Sequence, residues 1–246
     1  MKLKEVYDRC MPIEKRKKEK MNIWVAWVVR PLSVVCTVPL VNTKIRPSDI
    51  TILSIIFSFL GFILMSTAVD NMSLKIWGWI CFFIWAVLDG VDGNLARCQN
   101  TCSPLGELWD AIGGYASMVL IYMAAGITAF FDNNLLSIGP NYLILIVASF
   151  SSLFSLFPRL IMHKRNSIMP PSKSEKVLND KSNYGIREII IMNIISVSGF
   201  MQVLFLISTL FHMLNIFTYF YAFINCLVML MSLYSMLKNR RSNEES

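Results

Sequence analysis

Residues 76–114 read IWGWICFFIWAVLDGVDGNLARCQNTCSPLGELWDAIGG. Ile76 to Leu88 is uncharged and apolar, and it runs straight into Asp89. Asp89 and Asp92 are three apart on a helical course, so both carboxylates project from one face. Ala96, seven residues after Asp89, continues that face with a small side chain. In the next apolar stretch Gly106, Asp110 and Gly114 recur at four-residue spacing, again on one face, with Asp110 about one turn inside. Carboxylates at membrane depth are costly and face a cavity or a partner. Three on adjacent helices repel one another unless protons or a cation intervene, and a hard divalent cation such as Mg²⁺ (or Mn²⁺) suits clustered carboxylate oxygens. The glycines at 106, 113 and 114 let a ligand or a neighbouring backbone come close.

Working outward, the same kind of apolar run recurs. A spanning helix needs about 20 mostly apolar residues. Ile50 to Val69 meets that test and ends at Asp70-Asn71, and Leu105 to Phe131 follows the quoted acids. Tyr142 to Met162 is closed by His163-Lys164-Arg165, and Ile189 to Phe211 and Ile216 to Leu237 complete the set. The predicted fold is therefore an all-α integral membrane bundle of six spans. Met21 to Val41 is interrupted by Arg30, Pro31 and Pro39 and reads as an amphipathic helix lying in the interface, with Trp24 and Trp27 at headgroup depth. The chain divides as one membrane domain over 1–246, with an interfacial N-terminal segment (1–48), a bundle (49–237) and a polar tail (238–246).

Composition agrees. Hydrophobic residues make up 55% of the 246 and charged residues 16%, where soluble domains carry about a quarter charged. Lysine and arginine gather before the first span, around Arg97, in the His163–Arg187 stretch and in the tail, while Asp70–Ser73 and Asp132–Pro140 carry acid instead. With an even span count all basic regions fall on one side, which predicts both termini in the cytoplasm of a bacterial-type plasma membrane. The net charge of +7 is then directed at anionic lipid and calls for no nucleic acid. The N-terminus opens on a polar, charged stretch unlike a cleavable signal. The six cysteines read as reduced and structural, and His163 and His212 as isolated residues at helix ends.

The quoted stretch resembles a family motif, that of the CDP-alcohol phosphatidyltransferases, D-x2-D-G-x2-A-R-x8-G-x3-D-x3-D. Asp89, Asp92-Gly93, Ala96-Arg97, Gly106 and Asp110 stand at its spacing, so seven of eight fixed positions match. Arg46-Pro47-Ser48-Asp49-Ile50-Thr51 is similar to the family's Pro-Asn-x-x-Thr start of its first span, with serine for asparagine. The resemblance implies six spans behind an interfacial helix, and displacement of CMP from a CDP-alcohol lipid donor, usually CDP-diacylglycerol, by a small polar or lipid acceptor. It implies Asp89, Asp92 and Asp110 as metal ligands in the catalytic centre. Gly93, Ala96 and Arg97 would line the cytidine-diphosphate pocket and Gly106 would give it room. Arg159 and Arg187 are candidates for an acceptor phosphate. A homodimer is the expected assembly on the same basis.

The eighth position departs from the motif. Where the family has the aspartate that activates the acceptor, this chain has Gly114. Glu107 is two turns away, about 10 Å nearer the cytoplasm, and does not reach that position. An active variant, a one-metal enzyme and a protein that binds a CDP-alcohol without catalysis all remain open at this stage. A transporter would call for polar residues along a whole path, whereas here the acids stop at Asp110.

Overall fold

The computed structural model describes residues 3–12, 16, 19–132, 134, 142–168 and 185–244, and all their regular elements are helical. α1 covers Leu3–Cys10, α2 Val25–Leu40, α3 Pro47–Ser66, α4 Met72–Gln99 and α5 Pro104–Phe131. α6 covers Leu143–Ile168, α7 Ile186–Ile195, α8 Phe200–Leu210 and α9 Leu214–Glu244. Five of these are long and apolar enough to cross a membrane, and α7 with α8 makes a sixth. The chain is an integral membrane protein.

Sequence chemistry sets the helix boundaries. Pro47 begins α3, and the Asp49 carboxylate turns back to accept from the Arg46 N–H at 3.0 Å. Asn71 caps α4 by accepting from Leu74 N–H at 3.1 Å, and Ser103 caps α5 from Gly106 N–H at 3.1 Å. α4 ends at Asn100 in the left-handed conformation that Asn tolerates. It therefore runs past Asp89 and Asp92, which lie within the helix rather than at its end.

α2 remains too short to span and is wound irregularly. Pro31 has no N–H to give Trp27, and the turn before it opens to π geometry, with Arg30 N–H on the Val25 carbonyl. Only one of the two predicted interfacial tryptophans faces outward. Trp27 is 80% exposed, whereas Trp24 turns in and packs on Phe83 at 6.2 Å between centroids.

The expected continuous span from Ile189 to Phe211 is broken. α7 and α8 meet at 55° across residues 196–199. The N-terminal segment holds the break: Asn22 donates to Ser196 Oγ at 2.8 Å, and Asn193 accepts from Ile23 N–H and donates to the Met21 carbonyl. Non-helical backbone at this depth is tolerated where it borders a cavity, and Val197 and Ser198 border one.

Without a water-driven hydrophobic effect, small residues and side-chain hydrogen bonds hold such a bundle together. α3 and α4 approach so closely that a Cβ on Gly61 would stand 2.9 Å from the Gly78 carbonyl oxygen. Ser58 and Ser117 hydrogen-bond between α3 and α5 at 2.6 Å, and Asn225 reaches Ser151 Oγ between α9 and α6 at 3.0 Å. Phe82, Trp85, Met118, Phe205, Phe217 and Tyr221 fill the centre. Ile52, Ile56, Phe59 and Ile63 face outward along α3, as a lipid-facing stripe should. α3 packs against both α4 and α5, which touch each other little and leave a gap at the end that carries the acids.

At the opposite end a second charged group is buried. Lys75 Nζ meets Asp132 Oδ1 at 2.9 Å with both side chains 1% exposed, and His212 Nδ1 stands 3.0 Å from the same carboxylate. The cluster ties the start of α4 to the end of α5 and the α8–α9 turn.

Candidate active site

Two adjoining cavities occupy the gap. The larger, of about 580 Å³, is lined by every motif residue: Asp89, Asp92, Gly93, Ala96, Arg97, Gly106 and Asp110. The smaller, of about 260 Å³, lies behind it and shares Asp89, Glu107 and Asp110. Its other wall carries Gly114, Tyr115, Arg159 and His163. Asp89 and Asp110 thus stand where the two spaces meet. Arg187 is exposed on the first turn of α7 and lines neither.

The larger cavity is built from three directions. Asp92 is 3% exposed, and its orientation is fixed by Thr51 of α3, whose hydroxyl donates to Oδ2 at 2.6 Å. The Gly93 N–H donates to the other oxygen. Arg97 donates from Nε to the Cys10 carbonyl at 3.0 Å and from Nη2 to Asn94 Oδ1 at 2.9 Å. Asn94 is itself buried and donates to Ser33 and Thr37 of α2. The N-terminal segment therefore positions a motif arginine through backbone and hydroxyl groups. Beside that contact the Cys10 and Cys98 sulfurs lie 2.9 Å apart without a disulfide between them.

Arg30 is a site residue that sequence reasoning did not single out. It lines the larger cavity, pairs with Glu19 at 2.7 Å, and keeps its Nε buried without a hydrogen-bond partner among the described residues. The signal was present in the sequence, because an arginine within an apolar stretch is costly unless it meets an anion. Thr51, Tyr115 and His163 were missed as well, the first although it lies in the quoted Pro-Ser-Asp-Ile-Thr stretch.

Electrostatically the site is an acidic centre with basic edges. Asp92 and Asp110 act on Asp89 with like charge, and Arg30 and Arg159 oppose them. Hard oxygen donors from two helices fit a divalent cation in kind. Among the described residues no three such side chains stand close enough to hold an ion as placed. The site could seat an anionic diphosphate beside arginines, with a second reactant at the far side of the acids.

The fold and site define a polytopic membrane protein with an acidic, two-chambered centre at one end of its bundle. The family model of the CDP-alcohol phosphatidyltransferases matches residues 44–237, and the chain belongs to that family. The family's reaction is metal-assisted. The chain is similar to ethanolaminephosphotransferase 1 of Homo sapiens, 30% identical over 146 residues, which is 51% of this chain and 36% of that protein. It is 34% identical to cholinephosphotransferase 1 of Bos taurus over 86 residues, 32% of this chain and 21% of that protein. A third match, to cholinephosphotransferase 1 of Homo sapiens, is 50% identical over 44 residues, 18% of this chain and 10% of that protein. These alignments span little more than a third of the relatives' length at most.

Proposed function

We propose that this chain transfers the phospho-alcohol group of a CDP-alcohol to an acceptor hydroxyl with release of CMP, in the synthesis of phospholipids or related lipids. The meeting of the two cavities at Asp89 and Asp110 carries this reading. A displacement at phosphorus needs donor and acceptor on opposite sides of the reacting phosphate, and the acids separate two such spaces. In this reading the larger cavity takes the cytidine diphosphate. Gly93 and Ala96 leave room for it, and Arg30 and Arg97 bind its phosphates. Asp89, Asp92 and Asp110 would hold Mg²⁺ or Mn²⁺, which would supply positive charge to neutralise the diphosphate and the leaving oxygen. Thr51 keeps the Asp92 carboxylate aimed into the site. Arg159 faces the acceptor, whereas the exposed Arg187 has no place at the centre.

The basic segments flank the same end of the bundle as the acids, which supports a site at the cytoplasmic leaflet with both termini on that side. CDP-diacylglycerol is one candidate donor. The choline and ethanolamine in the relatives' names add CDP-choline and CDP-ethanolamine, with diacylglycerol as the acceptor.

The test is CMP release by purified protein in detergent with Mg²⁺, this donor panel and matching acceptors. Acceptor-dependent CMP that a chelator removes supports the transferase. Metal-dependent donor binding with no CMP would instead favour a non-catalytic binder, a reading to which Gly114 lends specific weight. The absence of both donor binding and CMP release would overturn the proposal.

Arg30→Gln is expected to raise the donor KM about 10- to 100-fold while kcat changes little, since a charge-assisted hydrogen bond contributes about 1.5–3 kcal/mol. An unchanged donor KM would remove Arg30 from the phosphate site.

A further inference from the structure

Attack by a hydroxyl on phosphorus requires that its proton go somewhere, and in the transferase reading Asp89 and Asp110 are committed to metal. Gly114 cannot take the proton. A Cβ built on it would meet nothing within 4 Å, so the position opens onto the smaller cavity. The ionisable groups around that cavity are Asp89 from α4, Glu107, Asp110 and Tyr115 from α5, and Arg159 and His163 from α6, with Lys164 adjoining; Val197 and Ser198 bring no charge. Arginine stays protonated, and a tyrosine hydroxyl loses its proton only near pH 10. Glu107 also borders the larger cavity, whereas Gly114 and His163 border only the smaller one.

We propose that His163 accepts the proton of the acceptor hydroxyl, the part that Gly114 leaves unfilled. This rests on the transferase reading above. The imidazole is held edge-on by the Tyr115 ring, 5.8 Å between centroids at 73°, and is itself exposed. Gly114, Tyr115 and His163 all line the smaller cavity, so the contact holds the ring beside the space that Gly114 leaves open. The Tyr115 hydroxyl is buried without a hydrogen-bond partner among the described residues, which leaves a donor for an oxygen of the acceptor.

In the step itself the acceptor oxygen bonds to the phosphorus that bears the alcohol. The bond from that phosphorus to the bridging oxygen breaks, and CMP leaves with the bridging oxygen. The hydroxyl proton passes to the unprotonated imidazole nitrogen, and the exposed ring returns it to water. Arg159, one turn back on α6, offsets the negative charge of the acids around the attacking oxygen.

The experiment compares wild type, His163→Gln, Gly114→Asp and the double variant Gly114→Asp with His163→Gln, full length, in the CMP assay across pH. His163→Gln is expected to lose about 10²–10⁴-fold in kcat, the usual worth of general acid–base catalysis, with donor KM within about twofold. The open space at Gly114 admits an aspartate, so the double variant is expected to regain at least tenfold over His163→Gln. Donor binding reports that each variant is folded, and His163→Asn serves as the second variant if glutamine perturbs the helix end. A His163→Gln enzyme within threefold of wild type, or a loss that Gly114→Asp does not relieve, overturns His163 as the base and leaves the transferase reading standing. A wild type that releases no CMP from any donor overturns both.

Discussion

Asp110→Ala is expected to reduce CMP release on the order of 10³-fold, because a bound metal contributes several kcal/mol of charge stabilisation to such a reaction and each 1.4 kcal/mol is about tenfold in rate. Asp110 is the one motif carboxylate supplied by α5, while Asp89 and Asp92 both come from α4. Without it a bound cation would be held from one side of the gap only. The residue borders both cavities, so its loss affects the metal, the diphosphate and the approach of the acceptor together. Its side chain lies open to the cavity rather than in the packed centre, so thermal stability in detergent should stay close to wild type. A variant that turns over within tenfold of wild type at saturating Mg²⁺ would remove Asp110 from the metal site.

The second large effect lies at the opposite end. Lys75→Met leaves Asp132 buried without its main counter-charge, and breaking a buried ion pair by removing one partner costs about 3–5 kcal/mol. The sign of the pH dependence follows from Asp132. Burial pushes its carboxyl up, but hydrogen bonds and charge from Lys75 and His212 outweigh this and hold it below the ordinary carboxylate value. A group depressed in the folded state contributes stability that is fully present above its unfolded pKa, about 4 for aspartate, and is lost as pH falls through the folded value. The wild-type melting midpoint is therefore expected to fall on acidification below pH 4. The gap between wild type and Lys75→Met should narrow over the same range. Parallel melting curves at pH 7 and pH 3 that keep a constant gap would show that the pair is not the source.

The spans were legible because hydrocarbon thickness imposes a length and apolar composition that single segments carry by themselves. The motif was legible because its residues sit on two helices joined by a short loop, so spacing alone places them on facing surfaces. What escaped was set by contacts remote in sequence. Between Ile189 and Phe211 the Ser198-Gly199 pair is the one local sign of a break, too common in membrane helices to read alone, and the bend is held from outside by Asn22. Arg30 was read as a reason against a span, and its use became visible only when Glu19 and the motif helix surrounded it. His163 and His212 looked alike in sequence, isolated at helix ends. One borders the smaller cavity and the other meets a buried carboxylate, a difference decided by α5 in both cases.

The hydrogen bonds joining residues 21–23 to Asn193 and Ser196 also constrain the order of biosynthesis. A ribosome makes α2 early, yet the partners that fix it emerge about 170 residues later, at roughly 5–20 residues per second. For tens of seconds α3 to α6 can insert and pair while the segment bearing Arg30 still lacks its clasp. The smaller cavity, which Val197 and Ser198 border, is thus completed only when translation reaches the broken helix, and a nascent chain stopped before α7 carries every motif residue with one wall of that cavity missing.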